Sequence, residues 1–249
     1  MINIKSDVEI EKLKMAGKIT ALAMEAAKSI IAPGVSTADL DTIIFRTIKA
    51  HDAVPSFLNL YGFPASACIS VNDQVIHGIP TKKVILKEGD IVSIDVGAYY
   101  DGFHGDMART FPVGKVSEEA EKLIRVTKEC FYKGFEQSVI GNRVGDIGAA
   151  VDAHAVENGF STVKQFVGHG VGRKVHEDPE VPNFGKAGHG PRLMKGMVIA
   201  IEPMINAGED GVWQDDDGWT VYTDDGRLSA HYENTIAITD DGPIILTTV

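Results

Sequence analysis

The stretch that decides the fold is IVSIDVGAYYDGFHGD, residues 91–106. Ile91 to Asp95 reads as a strand: β-branched residues run without interruption into one acid. Asp101-Gly102 is a hairpin-turn signal, and Phe103 to Asp106 runs back from it. Asp95 and Asp106 are therefore expected on neighbouring strands, nearly opposite one another, with a bulge available to aim both inward. Facing carboxylates about 5 Å apart repel, and either one takes up a proton or a cation sits between them. An Asp that ends an apolar strand needs such a partner, because burying a bare charge is costly. Two surface acids beside a turn are the alternative reading.

The rest of the chain is read outward from this hairpin. Ser6 and Glu9 have capping-box spacing, and a helix over about 6–31 stops before Pro33-Gly34. A second helix is expected from Ser36 or Thr37 to Ala50, a third over 117–138 and a fourth over 145–158. Strands are expected at 68–71, 164–167, 197–202, 219–222 and 230–239. Residues 168–192 read as a Gly/His/Pro-rich loop, and the acidic run AGEDGVWQDDDG (207–218) as an exposed one. With no linker or low-complexity segment, one domain over 1–249 is expected. An internal repeat supports two related halves. LKEGDIVSID (86–95) aligns with LMKGMVIAIE (193–202) at an offset of 107 (193 − 86), pairing Asp95 with Glu202. The same offset pairs Gly34 with Gly141 and Asp39 with Asp146. A carboxylate at one place in each half implies a site at a pseudo-twofold interface.

Composition narrows the function. In 249 residues, 44% hydrophobic content supplies a substantial core, and a net charge of −11 argues against nucleic acid or an anionic membrane as partner. Two cysteines exclude a disulfide framework or a Cys-rich zinc module and fit a reducing compartment. There is no signal-peptide core and no apolar run of membrane-spanning length, so a cytoplasmic protein is expected.

Further polar residues join the two aspartates. His169 lies in VGHGVG (167–172), where glycines let backbone and ligand approach. Glu202 ends the apolar strand VIAI and precedes Pro203. Glu233 is read mid-strand in SAHYENT (229–235), and His176 and His77 lie in polar loops. Four carboxylates and one imidazole suit two divalent cations about 3.5–4 Å apart. Their mutual repulsion, on the order of 18 kcal/mol at an effective dielectric of 20, has to be offset by anions between them.

The ordered set Asp95, Gly102-Phe103-His104-Gly105-Asp106, His169-Gly170-Val171-Gly172-Arg173, Glu202-Pro203-Met204 and Glu233 resembles methionine aminopeptidase, type I, over nearly the whole chain. The resemblance implies an α+β, pita-bread fold: a curved antiparallel sheet in two pseudo-symmetric halves with helices outside. It implies that Asp95 chelates the second metal, Asp106 and Glu233 bridge both, and His169 and Glu202 bind the first. The metal is Mn, Fe, Co or Zn, with oxygen-rich ligation suiting Mn. The implied reaction removes an initiator methionine that precedes a small residue: a bridging hydroxide attacks the Met carbonyl and Glu202 shuttles its proton. His176 then polarises the carbonyl, His77 holds the substrate amide, and the free α-amine meets the second metal. Phe57, Leu60, Phe63, Cys68, Val175 and Trp219 are the implied walls of the methionine pocket. The implied partners are the N-termini of nascent polypeptides, with the ribosome a candidate meeting place, and a monomer is expected.

The chain departs from the family pattern at Leu60 (usually Tyr), Val175 (commonly aromatic), His231 (usually Gln) and Asn234 (usually His). The stretch 207–218 is also longer and more acidic than the family leads one to expect. Alternatives are an Xaa-Pro peptidase of the same fold, which would carry an extra N-terminal domain, and a non-catalytic peptide-binding module, which would lose ligands. A type II enzyme would carry a long insertion before Glu202. The lack of a Cys-rich N-terminal extension points to a bacterial-type enzyme.

Overall fold

Ser6 opens the first helix as its spacing predicts: its hydroxyl accepts from Glu9 N–H while the Glu9 carboxylate accepts from Ser6 N–H at 3.0 Å. The computed structural model, which describes residues 1–249, has four α-helices: α1 (Asp7–Lys28), α2 (Thr37–Ala50), α3 (Glu118–Glu136) and α4 (Val144–Glu157). All four fall where the sequence puts them, to within three residues at each end. Every strand pair is antiparallel.

In the first half, the strand Ile91–Tyr100 is central. It pairs along one edge with Val54–Pro55 and Ala67–Val71, and along the other with Phe103–Pro112. The turn between them has both residues at positive φ, Asp101 at 46° and Gly102 at 88°, the two-residue geometry whose twist matches the strands. In the second half, the strand order is Gly242–Ile245, Asn234–Thr239, Val198–Ile201, Gly168–Gly170, Glu177–Val181. Two three-stranded sheets complete the fold. Met204–Asn206 lies between Ser229–His231 and Ser161–Thr162, and Val221–Thr223 lies between Val212–Gln214 and Gln74–Ile76.

The helices cover the sheets from outside. α1 and α2 seal a core containing Met24, Leu40, Ile44, Ile48, Ile69 and Ile94. α3 and α4 do the same over the second half with Leu123, Val126 and Phe131. Ile44 is fully buried, and truncating it to alanine would cost about 2–5 kcal/mol. α1 also crosses the sheet directly behind Asp106. A Cβ built on Gly105 would stand 2.7 Å from Gly17 Cα, so helix and strand meet there backbone to backbone.

Four expectations need correction. Residues 164–167 are not a strand: Ser161–Thr162 and Gly168–Gly170 take that role on either side. The 168–192 region is not all loop, since its glycines admit the strand Gly168–Gly170 and the chain returns as Glu177–Val181. The acidic run is not simply an exposed loop either. Val212–Gln214 forms a hairpin with Val221–Thr223, which displaces the expected strand 219–222. Finally, 230–239 is two strands, Ser229–His231 and Asn234–Thr239, with Glu233 in the gap. No helix is long and apolar enough to cross a membrane.

Candidate active site

The central hairpin keeps one register from end to end, with no bulge. Asp95 faces Ala108 and Asp106 faces Gly97, so the two aspartates are diagonal neighbours on one face rather than directly opposed. The tight turn at Asp101-Gly102 fixes this pairing, and Asp95 lies two positions farther from it than Asp106. Gly97 leaves room over Asp106. A Cβ there would come within 2.8 Å of Ser56 Cβ and 3.1 Å of the Phe57 ring.

The two glutamates are placed differently. Asn234 pairs with Ile201 and Met204 with His231, and between these ladders lie Glu202-Pro203 on one strand and Tyr232-Glu233 on the other. Pro203 has no N–H to continue the ladder, and Tyr232 N–H donates to Pro203 C=O instead at 3.2 Å. Released from its own sheet, Glu233 joins the other half: its N–H donates to Ala108 C=O at 2.9 Å and its C=O accepts from Ala108 N–H at 3.4 Å. Arg109 fastens this seam. Its guanidinium donates to the carbonyls of Ala108 (2.8 Å) and Glu233 (2.5 Å) and to Asn234 Oδ1 (2.7 Å), and lies 3.9 Å over the Tyr232 ring. Thr235 Oγ1 pins the backbone of Asp106, accepting from its N–H and donating to its C=O.

His169 completes the group. It sits between Gly168 and Gly170, where a Cβ would lie 2.4 Å from Ala200 O and 2.2 Å from Asp178 O. Its Nδ1 is 3.0 Å from Gly170 O, which requires the proton there and turns the Nε2 lone pair inward. Nε2 lies 3.8 Å from Asp106 Oδ2 and 3.5 Å from Glu202 Oε1. Burial pushes the His169 imidazole down to about 3, so the ring is neutral.

These residues fit a divalent cation. Asp95 Oδ1, Asp106 Oδ1 and Glu233 Oε1 are buried with no hydrogen-bond partner. Burial raises Asp95 to about 7 and Glu202 to about 8; burial and then neighbouring carboxylates push Asp106 and Glu233 well above the usual range. Such a concentration of unpaired acid is what a bound cation relieves. One oxygen each from Asp106 and Glu233 and a His169 nitrogen lie within 4.8 Å of one another, and so do Glu202, His231 and Glu233. Asp95 belongs to neither close group, although it lines the same cleft; Glu233 is shared by both, is buried and is not among the residues lining the cleft.

The cleft has a volume of about 1130 Å³. Asp95, Asp106, His169, Glu202, His77 and His176 all line it. The His176 ring meets His169 edge-on at 4.4 Å and stacks beside Tyr61 at 6.0 Å. His77, at φ +59°, meets Phe166 edge-on at 5.8 Å. Phe57, Leu60, Phe63, Cys68, Val175 and Trp219 form one apolar cluster, joined by Ala65 and Ile79, which sequence reading did not include. Trp219 packs edge-on to Phe63 at 5.1 Å. The acidic run holds it: Asp217 Oδ1 accepts from the N–H groups of Trp219 (2.7 Å) and Thr220 (2.8 Å). Val175 backs the cluster without facing the cleft.

Sequence reading also missed the N-terminal segment. Residues 1–5 line the cleft mouth, and Lys5 Nζ donates at 2.6 Å to Glu177, with both side chains 5% exposed. Nothing local in MINIK announces this, because the partner lies far along the chain.

The profile of metallopeptidase family M24 matches residues 11–240. The chain belongs to metallopeptidase family M24. Within M24 it groups with the methionine aminopeptidases. It is 57% identical to a methionine aminopeptidase of Clostridium perfringens over 100% of both chains. It superposes on the crystal structure of methionine aminopeptidase from Thermotoga maritima with a TM-score of 0.99 at 44% identity, covering 100% of each chain. The prolidase from Pyrococcus furiosus matches less well, with a TM-score of 0.81 at 25% identity, and the chain spans 65% of its length. The architecture of this M24 peptidase is thus the pita-bread fold, as expected. Membership in M24, together with the full-length identity to methionine aminopeptidases, makes it a metal-dependent aminopeptidase that uses divalent cations.

Proposed function

We propose that this chain removes the initiator methionine from nascent polypeptides whose second residue is small. One observation carries the reading: the partnerless, buried oxygens of Asp95 and Asp106 lie in the same cleft as an apolar slot lined by Phe57, Leu60, Phe63, Cys68 and Trp219. His169, Glu202, Asp106, Glu233 and Asp95 would hold two cations, of Mn, Fe, Co or Zn. When bound, such cations act as Lewis acids and make water acidic enough to ionise at neutral pH. The remaining work falls to side chains. Glu202, ionised when a cation sits beside it, takes a proton from the attacking water and returns it to the leaving amine. His176, at the cleft wall beside His169, donates to the substrate carbonyl oxygen as charge develops there. His77 hydrogen-bonds the amide on the leaving side. The walls Phe57, Leu60, Phe63, Cys68 and Trp219, with Val175 packed behind them, enclose the methionine side chain and keep water out. Acting on nascent chains makes the cytoplasm the working compartment and the ribosome the place of encounter, with a monomer as the working unit.

The test compares Met-Ala and Met-Gly peptides with an Ala-Pro peptide. Release of methionine from the first two, abolished by chelator and restored by divalent metal, is the expected result. Preference for the Ala-Pro substrate would instead make the chain an Xaa-Pro peptidase.

A further inference from the structure

The metallopeptidase reading has no use for His231, yet this side chain stands inside the acidic site. It ends the strand Ser229–His231, at the register position facing Met204, one step before the break that frees Glu233. Its ring is 1% exposed. Nε2 is 3.5 Å from Glu202 Oε2, while His169 Nε2 is 3.5 Å from Glu202 Oε1. The Glu202 carboxylate is thus flanked by two imidazoles, one at each oxygen.

A buried histidine beside a carboxylate is usually explained by packing or by a hydrogen bond. Neither accounts for His231. A 3.5 Å separation is long for an N–H···O bond, and Nε2 has no hydrogen-bond partner at all. A packing role would leave that nitrogen buried and unsatisfied. What the nitrogen does have is company of the right kind: a Glu202 oxygen, a Glu233 oxygen and a His231 ring nitrogen lie within 4.8 Å of one another. His231 also borders a separate small cavity with Arg109, Lys128 and Tyr232.

We propose that His231 supplies a second imidazole nitrogen to the divalent-cation site, across Glu202 from His169. The proposal rests on the metallopeptidase reading and adds a donor to it. It also changes the expected metal preference. A site with one imidazole among carboxylates suits Mn, whereas a second nitrogen favours Co or Zn.

The experiment uses the full chain, stripped of metal and titrated with CoCl2 and, separately, MnCl2. X-ray absorption of the Co-loaded protein counts bound imidazoles, and calorimetry gives the affinities. Two imidazoles per chain are expected in the unaltered protein and one in each of His231→Gln and His169→Gln. His231→Gln should weaken Co binding at one site at least tenfold and Mn binding by less. A single imidazole in the unaltered protein would overturn the proposal, whatever the variants do. So would Co affinity within threefold of the original in a folded His231→Gln chain. If the stripped chain binds neither Co nor Mn, the metallopeptidase reading falls, and this inference with it.

Discussion

In the first half of the chain, Asp95 and Asp106 stand on a hairpin whose register never slips; in the second, Glu202 and Glu233 stand where two paired strands break together. The scaffolds that carry them are otherwise superimposable in sequence number. α2 and α4 have the same length, with both ends shifted by 107, and Gly34 and Gly141 turn at φ 95° and 97° before them. The bridge Ser36 to Ile85 recurs as Arg143 to Arg192, and Gly34 N–H to Leu86 C=O recurs as Gly141 N–H to Leu193 C=O. Duplication thus preserved the turns and helix starts that hold the sheets, while the acids took up unlike local geometry. The broken pair matters because it lets Glu233 leave its own sheet and bond to Ala108, closing the two halves over one site.

The comparison is tested most severely by Glu202→Gln. The amide keeps the shape but cannot carry a proton, and kcat should fall at least 100-fold, roughly the share of a general acid-base group. A rate within tenfold of the original would remove Glu202 from the proton path. Trp219→Ala opens the apolar slot that this side chain lines together with Phe57, Leu60, Phe63 and Cys68 of the first half. It should lower kcat/KM for a Met-Ala peptide about 30-fold, with little change in metal content. A drop in kcat/KM of under threefold would mean that Trp219 is core rather than pocket.

The acids predict the pH behaviour of the metal-stripped chain. Asp95 and Glu202 are raised, to about 7 and about 8, so the folded state holds their protons where the unfolded chain has lost them. Their contribution is present below pH 4 and is lost as pH rises through 7 and 8. The thermal midpoint of the stripped protein should therefore fall between pH 5 and 8.5, and saturating divalent metal should flatten the curve. Asp106→Asn, which removes one of the crowded charges, should raise the stripped midpoint by about 3 °C at pH 8. A midpoint that instead climbs with pH would show that these carboxyls are not buried together.

The smallest effect separates the repeated helix starts. Ser36 caps α2 through its hydroxyl, which accepts from Asp39 N–H at 3.2 Å; Arg143 cannot cap α4 that way, although the Asp146 carboxylate accepts from Arg143 N–H at 2.7 Å just as the Asp39 carboxylate accepts from Ser36 N–H at 3.0 Å. Ser36→Ala should cost about 1 kcal/mol in denaturant unfolding, and Arg143→Ala about half that or less. Equal losses would deny that the two caps differ.

Much of this was legible in the sequence because it is local. Helix ends follow from capping residues and glycines, and the Asp101-Gly102 turn alone sets the central register. The repeat was readable for the same reason, since Gly34, Asp39, Gly89 and Asp95 each have a counterpart at one offset. What escaped depends on distant partners. Glu233 reads as mid-strand because its neighbours are β-formers; the break comes from Pro203 and Ala108, which are remote in sequence. The strand Gly168–Gly170 looks like a loop because its glycines are there to admit the neighbouring carbonyls of Ala200 and Asp178. The acidic run looks like free solvent-facing chain until Asp217 is found holding Trp219.

Anomalous diffraction from crystals loaded with Co would test most directly that Asp95, Asp106, His169, Glu202 and Glu233 form one cation cage. The account predicts two strong peaks enclosed by these five side chains. Peaks elsewhere, or none among the five in a protein that still cleaves Met-Ala peptides, would contradict it.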